Sequence, residues 1–319
     1  METITLGRTG LKATIAGLGC GGHSRIGIEK YGPDHAAGIV RSAFDAGVNF
    51  FDTATAYGTQ AAVGKGLEGI GRTQYILSTK FPYKNKTGVK SAVELLETLD
   101  ESLRELKTDY VDIYHIHGVS VADYPLVRET LVPAMEQAKK AGKLRFLGIT
   151  EVFGSDTAHD MFKICLPDDI FDVIMVGYNL LNPSAAKRVL PVTIEKNVGV
   201  LCMFAVRSAL SNPAQLKIDV GRILEHAQAD PALVKDETVL DFLVQSGVAA
   251  IDTPCASSIM EAAYRYCRHT KGIDVVLTGT SSPNHLKDNL ASIRKRPLPK
   301  DILEKLEKLF GNVDCVSGQ

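Results

Sequence analysis

The sequence predicts an α/β protein built around a parallel sheet, and two observations carry that prediction. Eight short β-branched and apolar runs alternate with eight longer amphipathic ones, the pattern of repeated strand–helix units. No Ser/Gly-rich or Pro-rich linker divides the 319 residues, so residues 1–319 are expected to form one domain. That alternation suits an eight-stranded barrel and a large doubly wound sheet equally well.

The expected strands are Ala13–Gly17, Val48–Asp52, Tyr75–Lys80, Tyr110–His117, Leu144–Thr150, Asp172–Asn179, Val198–Val206 and Asp274–Gly279. Helical periodicity fills Pro33–Ala46, Gln60–Leu67, Val89–Leu106, Leu126–Ala141, Asp156–Cys165, Ser184–Lys196, Ser258–His269 and Pro283–Ile293. Several helices end in glycine, as at Ala46-Gly47 and Ala141-Gly142, where a left-handed cap is needed. The stretch from about 207 to 254 is too long for an ordinary strand–helix connection. It is expected to fold over the rim of the sheet, with a helix-like segment at Pro231–Ser246.

Composition excludes several function classes. Charged residues make up 23% of the chain and the net charge is -1, so nothing requires a nucleic acid or an anionic membrane. The longest apolar runs, such as Val198–Val206, are strand-length and too short to span a bilayer. The first residues lack the basic segment and apolar core of a secretory leader. Six cysteines without a C-x-x-C pair read as reduced thiols in the cytoplasm, not as a disulfide framework or a zinc site.

Chemistry concentrates where strands end. Asp52 closes one strand with Tyr57 in the turn after it, Lys80 closes the next and His117 the third. If these strands are parallel neighbours, their carboxyl ends converge on one rim. A phenol near a buried Lys–Asp pair and an imidazole is a proton-donating site. The segments Phe51-Asp52-Thr53-Ala54-Thr55-Ala56-Tyr57-Gly58, Ser78-Thr79-Lys80 and Val111-Asp112-Ile113-Tyr114-His115-Ile116-His117 resemble those of the aldo-keto reductases. All four catalytic positions of that family's pattern are filled in order, and the resemblance runs from about Ile4 to Ile293.

That resemblance selects a single (β/α)8 barrel, with an N-terminal hairpin at Ile4–Leu6 and Leu11–Ala13 and a long loop after strand 7. It implies an NAD(P)(H)-dependent oxidoreductase that interconverts aldehydes or ketones with alcohols, on a small, sugar-like substrate. NADP(H) is the expected cofactor and NAD(H) the alternative. A free tyrosine has a pKa of about 10, too high for easy proton transfer near neutrality. Lys80 would lower it by stabilising the phenolate, Asp52 would hold Lys80 charged, and His117 would bind the substrate oxygen.

The family's cofactor contacts fall on Gly21 and Gly22 of a rim loop, on Asp52 and Tyr57, and on Thr150, Glu151 and Met175. They continue through Met203, Phe204, Ala205, Val206 and Arg207, then Gly279, Thr280, Ser281, His285, Asp288 and Asn289. Several of these depart from the family pattern. Thr150-Glu151 replaces a Ser-Asn pair that holds the nicotinamide amide, Met175 replaces a glutamine, and Met203 or Phe204 replaces a stacking Tyr or Trp. Gly279 and His285 stand where two basic residues grip the 2′-phosphate, with Lys287 or Arg207 able to compensate.

Three competing readings rest on other features. Gly17-Leu18-Gly19-Cys20-Gly21-Gly22 is a literal G-x-G-x-x-G, but the residues after it do not open a helix as a Rossmann site requires. His115-Ile116-His117 puts two imidazoles on one strand face, as in metal-dependent barrel hydrolases, yet later strand ends offer no further histidine. A non-catalytic nucleotide-sensing barrel would explain the altered cofactor contacts, whereas a complete tetrad argues for chemistry. No metal is expected, and an oligomer is not required.

Overall fold

In the computed structural model, which describes residues 1–244 and 255–319, the eight main strands close into a parallel barrel. They are β1 (Ala16–Gly19), β2 (Phe50–Asp52), β3 (Ile76–Phe81), β4 (Val111–Val119), β5 (Leu144–Glu151), β6 (Val173–Gly177), β7 (Gly199–Met203) and β8 (Val275–Thr278). Each pairs with the next in sequence, and β8 closes on β1 through Val276↔Ala16 and Thr278↔Leu18. Helices intervene between the strands, as in a (β/α)8 barrel, and the doubly wound alternative is excluded by closure.

Alternation along each strand divides the residues between two cores. Phe50, Ile76, Ile113, Val173, Met175, Leu201 and Val275 point inward and pack with Leu6, Leu11 and Ala13 of the N-terminal hairpin. That hairpin pairs Thr3–Thr5 with Lys12–Thr14 and plugs one end of the barrel. The intervening residues, among them Phe51, Leu77, Tyr114, Ile149, Ile174 and Val200, face the helices.

Most expected elements form with shifted limits, and the shifts have local causes. The strand expected at Ala13–Gly17 is two: Ala13 belongs to the hairpin, and the chain turns at Ile15 before entering β1. The helix expected from Val89 starts at Ala92, where Ser91 and Glu94 form a capping box. Leu126–Ala141 divides into Tyr124–Thr130 and Val132–Lys140, with Pro133 in the first turn of the second.

After β7 the expectation fails. The described part of Pro231–Ser246 is turns and a short 3₁₀ stretch at Asp241–Leu243, while its last two residues lie outside the described residues. Side-chain bonds compete with the helix there: Asp230 accepts from the Ala232 N–H at 2.8 Å and Asp236 from the Thr238 N–H at 2.9 Å. The helix forms earlier, at Pro213–Glu225, where Asn212 caps the Ala214 N–H and Pro213 occupies the first turn. Its Leu216, Val220 and Ile223 pack with Ile302, Leu306 and Phe310 of a C-terminal helix, Lys300–Phe310, outside the barrel.

Candidate active site

Asp52, Lys80 and His117 stand at the carboxyl ends of the adjacent strands β2, β3 and β4. Tyr57 joins them from a 3₁₀ turn, Thr55–Tyr57, that ends at Gly58 with φ +67°. Strand parity fixes the direction of the charged pair. Asp52, Ser78 and Lys80 share the inward parity of Phe50 and Ile76, so the charged pair enters the barrel above its apolar floor. On β4 the pairing runs from Ile116↔Ile149 to Val119↔Glu151, leaving one extra residue on β4. This bulge contains His117 and Gly118, and Gly118 adopts φ +68°. Bulges of this kind re-aim side chains, and here the Gly118 N–H donates to Thr150 Oγ1 at 2.7 Å.

The Lys80 ammonium is fully buried and donates to Asp52 Oδ2 at 2.5 Å and to the Thr53 carbonyl at 2.7 Å. Ser78 Oγ donates to the other carboxylate oxygen at 2.8 Å. Lys80 Nζ also lies 4.8 Å from the centre of the Tyr57 ring. Tyr57 OH and His117 Nε2 are 3.4 Å apart, with their rings nearly perpendicular at 85°. A Cβ at Gly21 would fall 2.5 Å from the Tyr57 ring, so only glycine leaves room for the phenol in this pose.

Burial and charge set the protonation states. Burial pushes the Asp52 carboxyl up, with Lys80 and Ser78 opposing it. Burial also acts against the Lys80 ammonium, but Asp52 and Tyr57 outweigh it and hold the lysine above its ordinary value. For Tyr57, burial raises the phenol pKa and exceeds the lowering by Lys80, opposite to the net lowering expected from sequence. The phenol of this site therefore holds its proton through neutral pH. His117 is pushed down to about 3 by burial and by the Lys80 charge, and stays neutral.

His115 lies one turn of the pleat below His117, fully buried, with neither ring nitrogen hydrogen-bonded among the described residues. Gly148 makes space for it: a Cβ there would sit 2.2 Å from His115 Nδ1. Burial, then Lys80 and His117, drive its pKa well down, so it too is neutral.

The remaining rim residues fall into two groups. Thr150 and Met175 pair across β5 and β6 and face inward, as does Met203 on β7. Phe204 follows in a left-handed conformation, φ +67°, with buried Ala205 and half-buried Val206 and Arg207 after it. Around β8, a Cβ at Gly279 would meet the Gly19 carbonyl at 2.5 Å. Thr280 accepts from the Ser282 N–H, Ser282 caps the helix Pro283–Arg294, and the Ser281 carbonyl accepts from His35 Nε2 at 2.7 Å. Asn289 donates to Thr278 Oγ1 at 2.9 Å, while His285 and Asp288 are exposed. Gly21 and exposed Gly22 follow β1; the next helix is the short Ile28–Tyr31, without the strand–turn–helix context of a Rossmann loop.

Glu151 has a different placement from that expected of a cofactor contact. It has the parity of Leu147 and Ile149, turned toward the outer layer. Its carboxylate accepts from the Gly177 N–H at 2.7 Å and lies 2.8 Å from His159 Nδ1. Ser78, His159 and Phe153 were not identified from sequence. Ser78 was legible, two residues before Lys80 on the same strand face. Phe153 lies in the turn after β5, and His159 falls within the helix expected at Asp156–Cys165, which begins only at Asp160 and leaves His159 at its cap in a left-handed conformation.

A closed parallel barrel with a buried carboxylate–ammonium pair and a half-buried phenol and imidazole on its carboxyl rim is a scaffold for proton transfer. The Aldo/keto reductase family model matches residues 17–310, and the chain belongs to that family of NAD(P)-dependent oxidoreductases. It is 31% identical over 305 residues to L-galactose dehydrogenase of Arabidopsis thaliana, covering 92% of this chain and 88% of that protein. Aldo-keto reductase YhdN of Bacillus subtilis is 29% identical, covering 90% of this chain and 87% of its own. An aldo-keto reductase of Bacillus halodurans in its holo form superposes with a TM-score of 0.74 at 25% identity, covering 98% and 97% of the two chains.

Proposed function

We propose that this protein reduces a small aldehyde or ketone to the alcohol, and catalyses the reverse, with Tyr57 as the proton donor. The observation that carries the reading is the cluster of buried Asp52 and Lys80 with half-buried Tyr57 and His117, in which a protonated phenol faces a neutral imidazole. A bound nicotinamide dinucleotide would supply the hydride. Gly22 fits such a ligand, because it is exposed and the space where a Cβ would stand is open, leaving the rim backbone after β1 accessible. The start of the helix Pro283–Arg294, with Thr280, Ser281, His285, Asp288 and Asn289 around it, would receive the adenosine phosphates.

In the reductive direction, the substrate oxygen sits between Tyr57 OH and His117 Nε2. Neutral His117, in the tautomer with hydrogen on Nε2, donates to that oxygen and fixes its orientation. Tyr57 gives up its proton as negative charge develops there, and Lys80 stabilises the phenolate left behind. Asp52 and the Thr53 carbonyl keep the Lys80 ammonium aimed at the phenol. Thr150, Met175, Met203, Phe204, Ala205 and Val206 would surround the nicotinamide, and the segment from 207 to 254 would shape substrate access. The relative named L-galactose dehydrogenase supports a hydroxylated, sugar-like substrate for this chain.

Turnover of a panel of aldehydes, ketones and aldoses with NADPH and with NADH tests the reading. Tyr57→Phe should retain the fold and cofactor binding while losing about 10²–10⁴-fold in rate. A Tyr57→Phe protein that works at the wild-type rate refutes the assignment.

A further inference from the structure

Tyr57 sits in the connection between β2 and the helix Gln60–Gly66, and buried hydrogen bonds tie that connection down. The Thr53 N–H donates to the Ser78 carbonyl at 2.9 Å, and the Thr53 and Thr59 hydroxyls meet at 2.9 Å, closing the loop on itself. Thr55 Oγ1 donates to the Lys80 carbonyl at 3.2 Å. The helix that follows is pressed against its neighbours. A Cβ at Gly64 would come within 2.7 Å of the Glu105 carbonyl, and one at Gly66 within 2.7 Å of the Ala37 carbonyl.

Gln60, the first residue of that helix, is 1% exposed and uses both ends of its amide. Its Oε1 accepts from Thr79 Oγ1 at 2.7 Å, and its Nε2 donates to Glu105 Oε2 at 2.8 Å. Thr79 precedes Lys80 on β3 and faces the helices, opposite in parity to Ser78 and Lys80. Glu105 lies on the helix Ala92–Leu106. One side chain therefore joins the strand that carries Lys80, the helix that follows Tyr57, and a helix of the outer layer.

We propose that Gln60 is a positioning residue for proton transfer, fixing the place of the Tyr57 hydroxyl relative to Lys80 and His117 by clamping the end of the Tyr57 loop to Thr79 and Glu105. The inference rests on the reading of Tyr57 as proton donor and adds to it a residue that does not touch the reacting groups. Only an amide of this length satisfies both partners at once: glutamate accepts but cannot donate, and leucine does neither. Slack in the loop acts directly on the chemistry, because Tyr57 OH is 3.4 Å from His117 Nε2 and the Tyr57 ring centre is 4.8 Å from Lys80 Nζ. Displacement of a reacting group by about 1 Å can cost a hundredfold in rate.

The test uses Gln60→Leu, Thr79→Val and Thr79→Ser, and Gln60→Leu combined with Tyr57→Phe. It reads kcat and KM for a carbonyl that the wild type reduces, melting temperature, and calorimetric affinity for ADP-ribose, which has the diphosphate but no nicotinamide. Gln60→Leu and Thr79→Val should each lower kcat about tenfold to a hundredfold and leave KM and ADP-ribose affinity unchanged. Thr79→Ser keeps the hydroxyl and should keep kcat. In the Tyr57→Phe background, Gln60→Leu should lower the residual rate little further, since the hydroxyl it places is gone. A lower melting temperature with unchanged kcat in Gln60→Leu makes the residue structural and overturns the inference. A loss of equal size in both backgrounds overturns it too, because Gln60 would then act on something other than Tyr57. If Gln60→Leu does not fold, Thr79→Val against Thr79→Ser decides, and equal kcat in those two overturns the inference. Tyr57→Phe at the wild-type rate brings down the proton-donor reading together with this inference, whereas a slow Tyr57→Phe beside an unimpaired Gln60→Leu brings down this inference alone.

Discussion

Replacing Lys80 with methionine separates the structural and chemical parts of the tetrad. Lys80 is fully buried and Asp52 is 3% exposed, so Lys80→Met strands a carboxylate with Ser78 as its remaining side-chain partner. Removing one member of a buried pair typically costs about 3–5 kcal/mol. In a chain of 319 residues that lowers the melting temperature by roughly 4–8 °C. The double variant Lys80→Met/Asp52→Asn removes the stranded charge while its amide oxygen can still accept from Ser78. Stability should therefore recover in large part. Catalysis should not, because neither variant supplies the cation that stabilises the phenolate of Tyr57. Thermal unfolding and steady-state carbonyl reduction on both proteins read the two effects separately. Near wild-type rates in Lys80→Met would show that the ammonium takes no part in the chemistry. A double variant as unstable as the single one would refute the stranded-charge argument.

Gly21→Ala places a methyl 2.5 Å from the Tyr57 ring, so kcat should fall at least tenfold while the melting temperature changes little; unchanged kcat would show that the phenol tolerates displacement. Glu151→Gln should cost about 1–3 kcal/mol in thermal stability, because His159 and the Gly177 N–H lose a carboxylate, and should leave the affinity for ADP-ribose unchanged. A fall in that affinity with stability intact would place Glu151 against the ligand. Burial raises the Asp274 carboxyl to about 6 despite the bond from the Val200 N–H. Its folded state holds the proton more tightly than the unfolded chain, so stability is lost as pH rises from about 4 to about 6. Asp274→Asn should thus stabilise by up to about 3 kcal/mol at pH 8 and by little at pH 4, as measured by urea unfolding.

Much of the site was legible because strands make it local. Parity along β3 puts Lys80 on the face of Ser78 and Ile76, and strand ends in a parallel sheet meet on one rim, so Asp52, Lys80 and His117 could be brought together from sequence pattern and resemblance. Glu151 illustrates the limit of that reasoning. It adjoins Thr150 in sequence, yet the same parity turns it to the outer layer, where His159 and Gly177 hold it. The helix at Pro213–Glu225 had a readable start in Asn212-Pro213, and the apolar residues of Pro231–Ser246 drew the expectation away from it.

By itself the sequence determined the alternation of strands and helices and the inward and outward faces of each strand. Those are consequences of period-two and helical patterning, which act over a few residues. Tertiary structure alone decided that a bulge at His117 and Gly118 aims the imidazole at Tyr57, and that burial outweighs Lys80 in setting the phenol's proton affinity; the closure of β8 on β1, which patterning left open, bears out the barrel that the resemblance implied. Tertiary structure also joined Glu151 to Arg207 through His159, Phe153 and Phe204. Closure, desolvation and stacking depend on which distant segments exclude water from one another, and that is settled only when the whole chain packs.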